Sequence, residues 1–327
     1  DWQEISTTEA ENYRLIGNID FQNRENANSN VLFNRLEGTG EGHTLKNIKL
    51  GVNGNNQGLI YSINNSIKNI HLENVEINQI NTGTTQYNGI IINATGIIEN
   101  IEFTNITINA SKTNYVGAIS NLYNATVHNV FLNHINITGN QRVGGLVGTV
   151  NTAYINNINA NDIQITGTQY VGGIVGYQQH SNGNVSDVID GVVATNIVVE
   201  ATGNYVGGIT SQGNIKNIKL DECQVSGVSY VGGVAGMIND NSSYSHDNFI
   251  LSNITVNGIE SYIGGVSGHN YGTSANITII YSEVNASNIN SQYVGGVTGY
   301  QHGNLQNIVL EDVQIHSVGN YVGGVVG

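Results

Sequence analysis

A short phrase returns along this chain at an almost fixed interval, and no other feature restricts the fold so severely. YVGAIS begins at Tyr115, RVGGLVG at Arg142, YVGGIVG at Tyr170 and YVGGITS at Tyr205. YVGGVAG follows at Tyr230, YIGGVSG at Tyr262, YVGGVTG at Tyr293 and YVGGVVG at Tyr321, while a degenerate copy, YNGIIIN, begins at Tyr87. Successive first positions lie 28, 27, 28, 35, 25, 32, 31 and 28 residues apart. The unit is a coil of roughly 29 residues with loops of variable length, and periods of that size belong to stacked repeat architectures.

A second phrase precedes each copy: Asn, apolar, any, apolar, two polar residues, apolar, any, apolar. NIHLENVEI begins at Asn69, NIEFTNITI at Asn100, NVFLNHINI at Asn129, NINANDIQI at Asn157, NIKLDECQV at Asn217, NFILSNITV at Asn248 and NIVLEDVQI at Asn307. GVVATNIVV from Gly191 and TIIYSEVNA from Thr278 read as copies without the leading Asn. Period-2 alternation rich in Ile and Val is strand patterning. The polar pair between its halves, Glu73-Asn74 or Asp221-Glu222, reads as a corner.

Each coil therefore offers three short strands: N-I-x-L, I-x-I and the Y-V-G-G-I segment. None has a helical period, and a two-residue corner holds no crossover helix. Short strands in fixed order without helices stack as an all-β parallel β-solenoid, or β-helix. Ten coils at about 4.8 Å each predict a rod roughly 45 Å long, right-handed by the general preference of parallel crossovers.

Within V-G-G-I the two apolar residues are three apart, so a straight strand cannot bury both. A bulge or bend at the glycines, which tolerate unusual φ and ψ, is expected there. Stacking predicts side-chain ladders. Asn47, Asn69, Asn100, Asn129, Asn157, Asn217, Asn248 and Asn307 are expected to bond amide to amide between coils. Tyr87, Tyr115, Tyr170, Tyr205, Tyr230, Tyr262, Tyr293 and Tyr321 are expected to stack, with the Arg142 guanidinium between Tyr115 and Tyr170.

Residues 1–46 do not follow the pattern and hold Trp2, Tyr13, Phe21, Phe33, Arg14, Arg24 and Arg35. A solenoid end exposes strand edges, so 1–46 is expected as an N-terminal cap and 47–327 as the solenoid. The chain stops at Gly327 in mid-coil, which reads as a piece of something longer.

Composition then narrows function. With 10 basic against 24 acidic side chains and a net charge of -14, phosphate recognition is disfavoured. No apolar run approaches the length needed to span a bilayer, so membrane insertion is not expected. The sole cysteine, Cys223, sits in an apolar slot of the repeat and reads as a core residue.

The V-G-G-[LIV]-x-G phrases, preceded by N-x-x-[VI] strands, resemble the GLUG repeats of bacterial surface proteins. NYRLIGNIDF at Asn12, LEGTGEGHTLKNIKL at Leu36 and GLIYSINNSIKNIHLENVEI at Gly58 resemble the N-terminal region of the IgA1-protease family of zinc metallopeptidases. That resemblance implies a secreted or cell-surface protein of Gram-positive bacteria. Its partners would be host glycoproteins, immunoglobulin among them, or neighbouring domains of the same protein. The family's zinc site needs H-E-x-x-H, and none of the nine His here is followed by Glu. The expectation is a non-catalytic spacer or substrate-positioning module without a cofactor.

The alternatives are an adhesin or filament rod, with solenoids associating end to end, and a glycan-active enzyme. The enzyme needs paired carboxylates, for which Glu73 with Glu102 or Asp312 with Glu283 are candidates from neighbouring coils. Corner residues of this type are ordinarily solvated turns. Loops after the V-G-G strands carry His180, His246, His269 and His302, the last three on consecutive coils. Their offsets from the preceding Tyr scatter, so a built metal site is not expected, but these variable loops are the expected partner-contact edge. Eleven N-x-S/T sequons barely exceed chance for 53 Asn, and no ladder of Thr forms an ice-binding face.

Overall fold

In the computed structural model, residues 2–24, 29–79, 83–179, 188–239 and 245–327 are described. They form a parallel β-solenoid of about ten turns. One sheet holds nine short strands in sequential order, from Thr85–Asn88 to Asn320–Gly323, and these are the V-G-G segments. The other sheet, of 17 strands, carries the rest of every coil. Its longest strand, Val147–Gly167, pairs in parallel on one side with Ile119–Thr138 and on the other with Val188–Ala201.

The long strands bend without breaking because single residues at the corners enter the left-handed region. Asn69, Asn100, Asn129, Asn157, Asn217, Asn248, Asn276 and Asn307 have φ of 53–60°. Five residues later a second corner repeats the conformation at Asn74, Asn105, His134, Asp162, Asn196, Glu222, Asn253, Tyr281 and Asp312. Asn tolerates this region better than other residues with a Cβ, which explains its abundance here. Between corners the alternation holds: Ile101, Phe103, Ile106 and Ile108 are buried, while Glu102 and Thr107 face outward.

Two assignments change. Asn276 is the leading Asn of the coil read from Thr278: Ile277 pairs with Phe249, and Asn276 has φ 55°. The phrase had been placed two residues late because Tyr281 and Ser282 occupy its polar-corner and apolar slots. Asn47 belongs to the second corner, where Asn74 Nδ2 donates to its Oδ1 at 3.1 Å, and not to the file of Asn69. At Gly191, φ +77°, glycine simply fills the Asn place.

The ladders form on both corners. Asn100 Nδ2 donates to Asn69 Oδ1 at 2.9 Å, and Asn129 Nδ2 to Asn100 Oδ1 at 3.1 Å. Asn217 donates instead to Asp190, at 2.6 Å, since Gly191 has no side chain. Asn100→Ala removes both amide bonds and leaves in the left-handed region a residue that tolerates it less well than Asn. Urea denaturation is expected to show a loss of about 2 kcal/mol for Asn100→Ala and roughly half that for Asn100→Gly.

The glycine pair does bend the chain, so that Val171 and Ile174 are both fully buried. The reason for glycine differs from the expected one. None of the V-G-G glycines has a positive φ; from Gly117 to Gly323 they are needed because neighbouring backbone leaves no room for a Cβ, while Gly324 in the last coil faces open space. At Gly172 that atom would lie 2.2 Å from Val175 O and 2.7 Å from Thr210 Cα. A further segment follows the pair, such as Val175–Gln179 or Ala235–Ile238, and also stacks coil on coil.

The segment expected as a cap continues the parallel stack. Glu11–Leu15 pairs with Val31–Gly38, and Ile19–Asp20 with His43–Val52. Its interior is aromatic: Trp2 is buried edge-on to Phe21, with ring centroids 5.3 Å apart, and Tyr13 packs edge-on to Phe33 at 5.4 Å. Cys223 is buried in the core, and burial alone holds its thiol protonated. Among the described residues no helix is long and apolar enough to cross a membrane.

Candidate functional site: an aromatic edge

The tyrosines that open the V-G-G strands sit at a third left-handed corner, with φ of 55–63° from Tyr170 to Tyr321. Each such residue carries a conformational cost, and the stack provides an offset. Tyr170–Tyr205, Tyr205–Tyr230, Tyr230–Tyr262, Tyr262–Tyr293 and Tyr293–Tyr321 stack at 4.6–5.1 Å with planes within 20°. Tyr87 and Tyr115 stack at 4.6 Å nearer the N-terminus. Arg142, at φ 50°, fills the break and lies 5.0 Å from the Tyr115 ring. Its other contact is not Tyr170, as expected, but Tyr177, at 4.3 Å, which stands edge-on to Tyr170.

Because the faces of these rings are occupied by one another, the ladder presents edges and hydroxyl groups. Burial and the neighbouring phenols raise the Tyr230 hydroxyl to about 12, and Tyr205 and Tyr262 shift the same way. These three hydroxyls are therefore neutral at physiological pH, and Arg142 is the charged member of the ladder.

A second file runs beside the first, seven residues after each stacking position: Thr149, Tyr177, Gln212, Met237, His269 and Tyr300. Sequence reading missed it. The constant offset of seven was a usable signal, but the residue types vary and only His269 stood out. His269 is 6% exposed, and among the described residues neither ring nitrogen has a hydrogen-bond partner. Burial, then the charge of His302, lowers it to about 4. Tyr271 covers it at 4.0 Å, and His302 lies over Tyr271 at 5.0 Å. Tyr271 and His302 are exposed, so they form the accessible rim of this cluster.

The four histidines do not make one surface. His246 is fully buried, with Nδ1 3.2 Å from Ile215 O and Nε2 3.3 Å from Asn239 O. It packs in the core and offers no contact surface. His269 and His302 lie 5.8 Å apart with planes at 4°, and His180 falls outside the described residues. Among the described residues no group of three or more His, Cys, Asp or Glu is placed to hold a metal ion.

Of the carboxylate pairs, Glu73 and Glu102 line one depression of about 80 Å³ with Thr44, His71 and Thr104. Glu102 faces His71, whose Nδ1 is 3.7 Å from its Oε2, while Glu73 registers against Thr104. Asp312 and Glu283 are out of register, because Glu283 lies opposite Gln314.

These ladders and the pairing of every coil define a parallel β-solenoid repeat protein. Comparison of the chain with protein-family models, curated proteins and solved structures gave no significant match.

Proposed function

We propose that this chain is a non-catalytic β-solenoid module of a bacterial surface or secreted protein. It acts as a spacer that positions a neighbouring domain or a host glycoprotein, in keeping with the resemblance of its repeats to GLUG and IgA1-protease N-terminal regions. The observation that carries this reading is the continuous parallel pairing of successive coils, which persists through local register shifts at Glu11/Asn12, Val31/Leu32, Phe33/Arg35 and Ala94/Gly96. From Glu11 to Gly323 each coil hydrogen-bonds to the next, and three side-chain ladders run along it. A body tied at every 4.8 Å step is stiff and holds two attachments at a fixed separation. A stand-alone adhesin rod is the second reading, favoured by the exposed rings of Tyr271 and His302 on the aromatic edge.

Small-angle scattering combined with binding to immobilised IgA1 and a glycoprotein panel tests both. A rod profile and micromolar binding that Tyr271→Ala and His302→Ala weaken about tenfold or more support partner positioning through this edge. A rod that binds none of the panel supports the spacer role alone. A flexible profile overturns both readings.

A further inference from the structure

The second corner changes character over three successive turns. Asn47, Asn74 and Asn105 are chained amide to carbonyl, with Asn105 Nδ2 donating to Asn74 Oδ1 at 3.0 Å. The next corner residue is His134, and among the described residues no hydrogen bond joins it to Asn105. Its Nε2 instead faces Asp162 Oδ2 at 3.2 Å. Past that pair the chain resumes, as Asn196 donates to Asp162 Oδ1 at 3.1 Å. Two residues beyond the corner, Thr107, Asn136 and Gln164 stand in register on the outward face. Corner and outward file enclose an open groove of about 300 Å³ that crosses the backbone at Ile135, whose side chain is buried in the core.

We propose that this groove binds a neutral oligosaccharide. Thr107, Asn136 and Gln164 have no side-chain partner among the described residues, so two amides and a hydroxyl are left to pair with a ligand. Each amide carries donor and acceptor side by side, which matches adjacent hydroxyl groups of a sugar. His134 and Asp162 add a donor and an acceptor beside them. The only carboxylate in the lining is Asp162 and there is no Lys or Arg, so neither a phosphate nor a carboxylate is matched. The outward side chains repeat at about 4.8 Å, one coil step, which lets a linear saccharide follow the axis from one turn to the next. This goes beyond the spacer reading, which needs no sugar.

The test uses chain expressed in bacteria, so that the sequons at Asn105 and Asn136 stay unmodified. Cellobiose, maltotriose, chitotriose and N-acetyllactosamine are titrated by ligand-observed saturation-transfer NMR. At least one is expected to bind, with affinity falling tenfold or more in Asn136→Ala/Gln164→Ala and in Asp162→Asn. The doubly substituted control Gln224→Ala/Thr255→Ala, on the same outward file in later coils, is expected to bind as wild type. These side chains are surface groups, and unchanged melting confirms that each variant folds. Absence of binding by every sugar overturns the proposal, as does binding that the groove variants leave unchanged. Capture of a deglycosylated protein without any sugar binding overturns it too and assigns the groove to a polypeptide. A flexible profile in scattering removes the spacer reading and leaves the sugar titration standing.

Discussion

Replacing Gly232 with alanine is expected to cost more than about 4 kcal/mol and to leave the coil containing it unfolded. The added Cβ would lie 2.2 Å from Ala235 O, 2.5 Å from Ser267 Cα and 2.8 Å from Val266 O, all of them backbone atoms. None can withdraw freely. Val266 O accepts from Val234 N at 2.9 Å and from Ala235 N at 3.0 Å, and Ser267 is itself paired with Thr298. Relief therefore requires two coils to separate, which breaks the register of the stack. Gly233→Ala is the informative comparison. Its Cβ also meets a carbonyl, Gly265 O at 2.2 Å, yet alanine stands naturally at this place as Ala118, where the bond from its N to Gly145 O lengthens to 3.3 Å. The second substitution should therefore cost less, about 2 kcal/mol. Limited proteolysis and urea unfolding of the two variants check the order. Equal losses would show that the two glycines share one role.

Acidification is expected to lower stability between pH 6.5 and about 4 through His269. Its folded-state value is held near 4 by burial and by His302, against 6.5 in the unfolded chain. As pH falls below 6.5 the unfolded chain takes up the proton first, so unfolding is favoured progressively until the folded ring also protonates near pH 4. The separation corresponds to at most about 3 kcal/mol. His246, lowered chiefly by burial, acts in the same direction. Glu76 and Asp221 are held below their usual range mainly by side-chain hydrogen bonds, so their contribution is present above about pH 4 and is lost below it. The two windows separate. His269→Phe keeps a flat ring beneath Tyr271 and removes the titration. Thermal melts at pH 7.5 and pH 4.5 should therefore differ by several degrees in wild type and much less in the variant. An unchanged difference would place the pH dependence elsewhere.

These two sites also mark what the sequence could and could not reveal. Corners were readable because a residue pair that breaks strict alternation has few other uses, and Asn is the side chain best suited to a left-handed turn. Strand order followed from the phrase order, and the stack of tyrosines from the constancy of one column. The purpose of Gly232 was not readable, since steric exclusion by the next coil and conformational freedom both select glycine and differ only in three dimensions. Register failed at Asn276, where Tyr281 and Ser282 displace the usual residue types. It failed again at Asn47, where one Asn column was mistaken for another. The groove of His134 and Asp162 depends on which outward side chains stay unpaired after stacking. No linear pattern records that.

The coil-on-coil pairing has a mechanical consequence. Hydrogen bonds in this stack run along the axis, so tension between its two ends opens them in sequence and not all at once. A coil peeled from one end meets only its immediate neighbour, as Asn320–Gly323 meets Gln292–Gly295. Each release of roughly 29 residues lengthens the tether by about 100 Å, against the 4.8 Å that the folded coil occupied. Under a steady pull the rod is a stack of fuses that yields one turn at a time and keeps what remains folded.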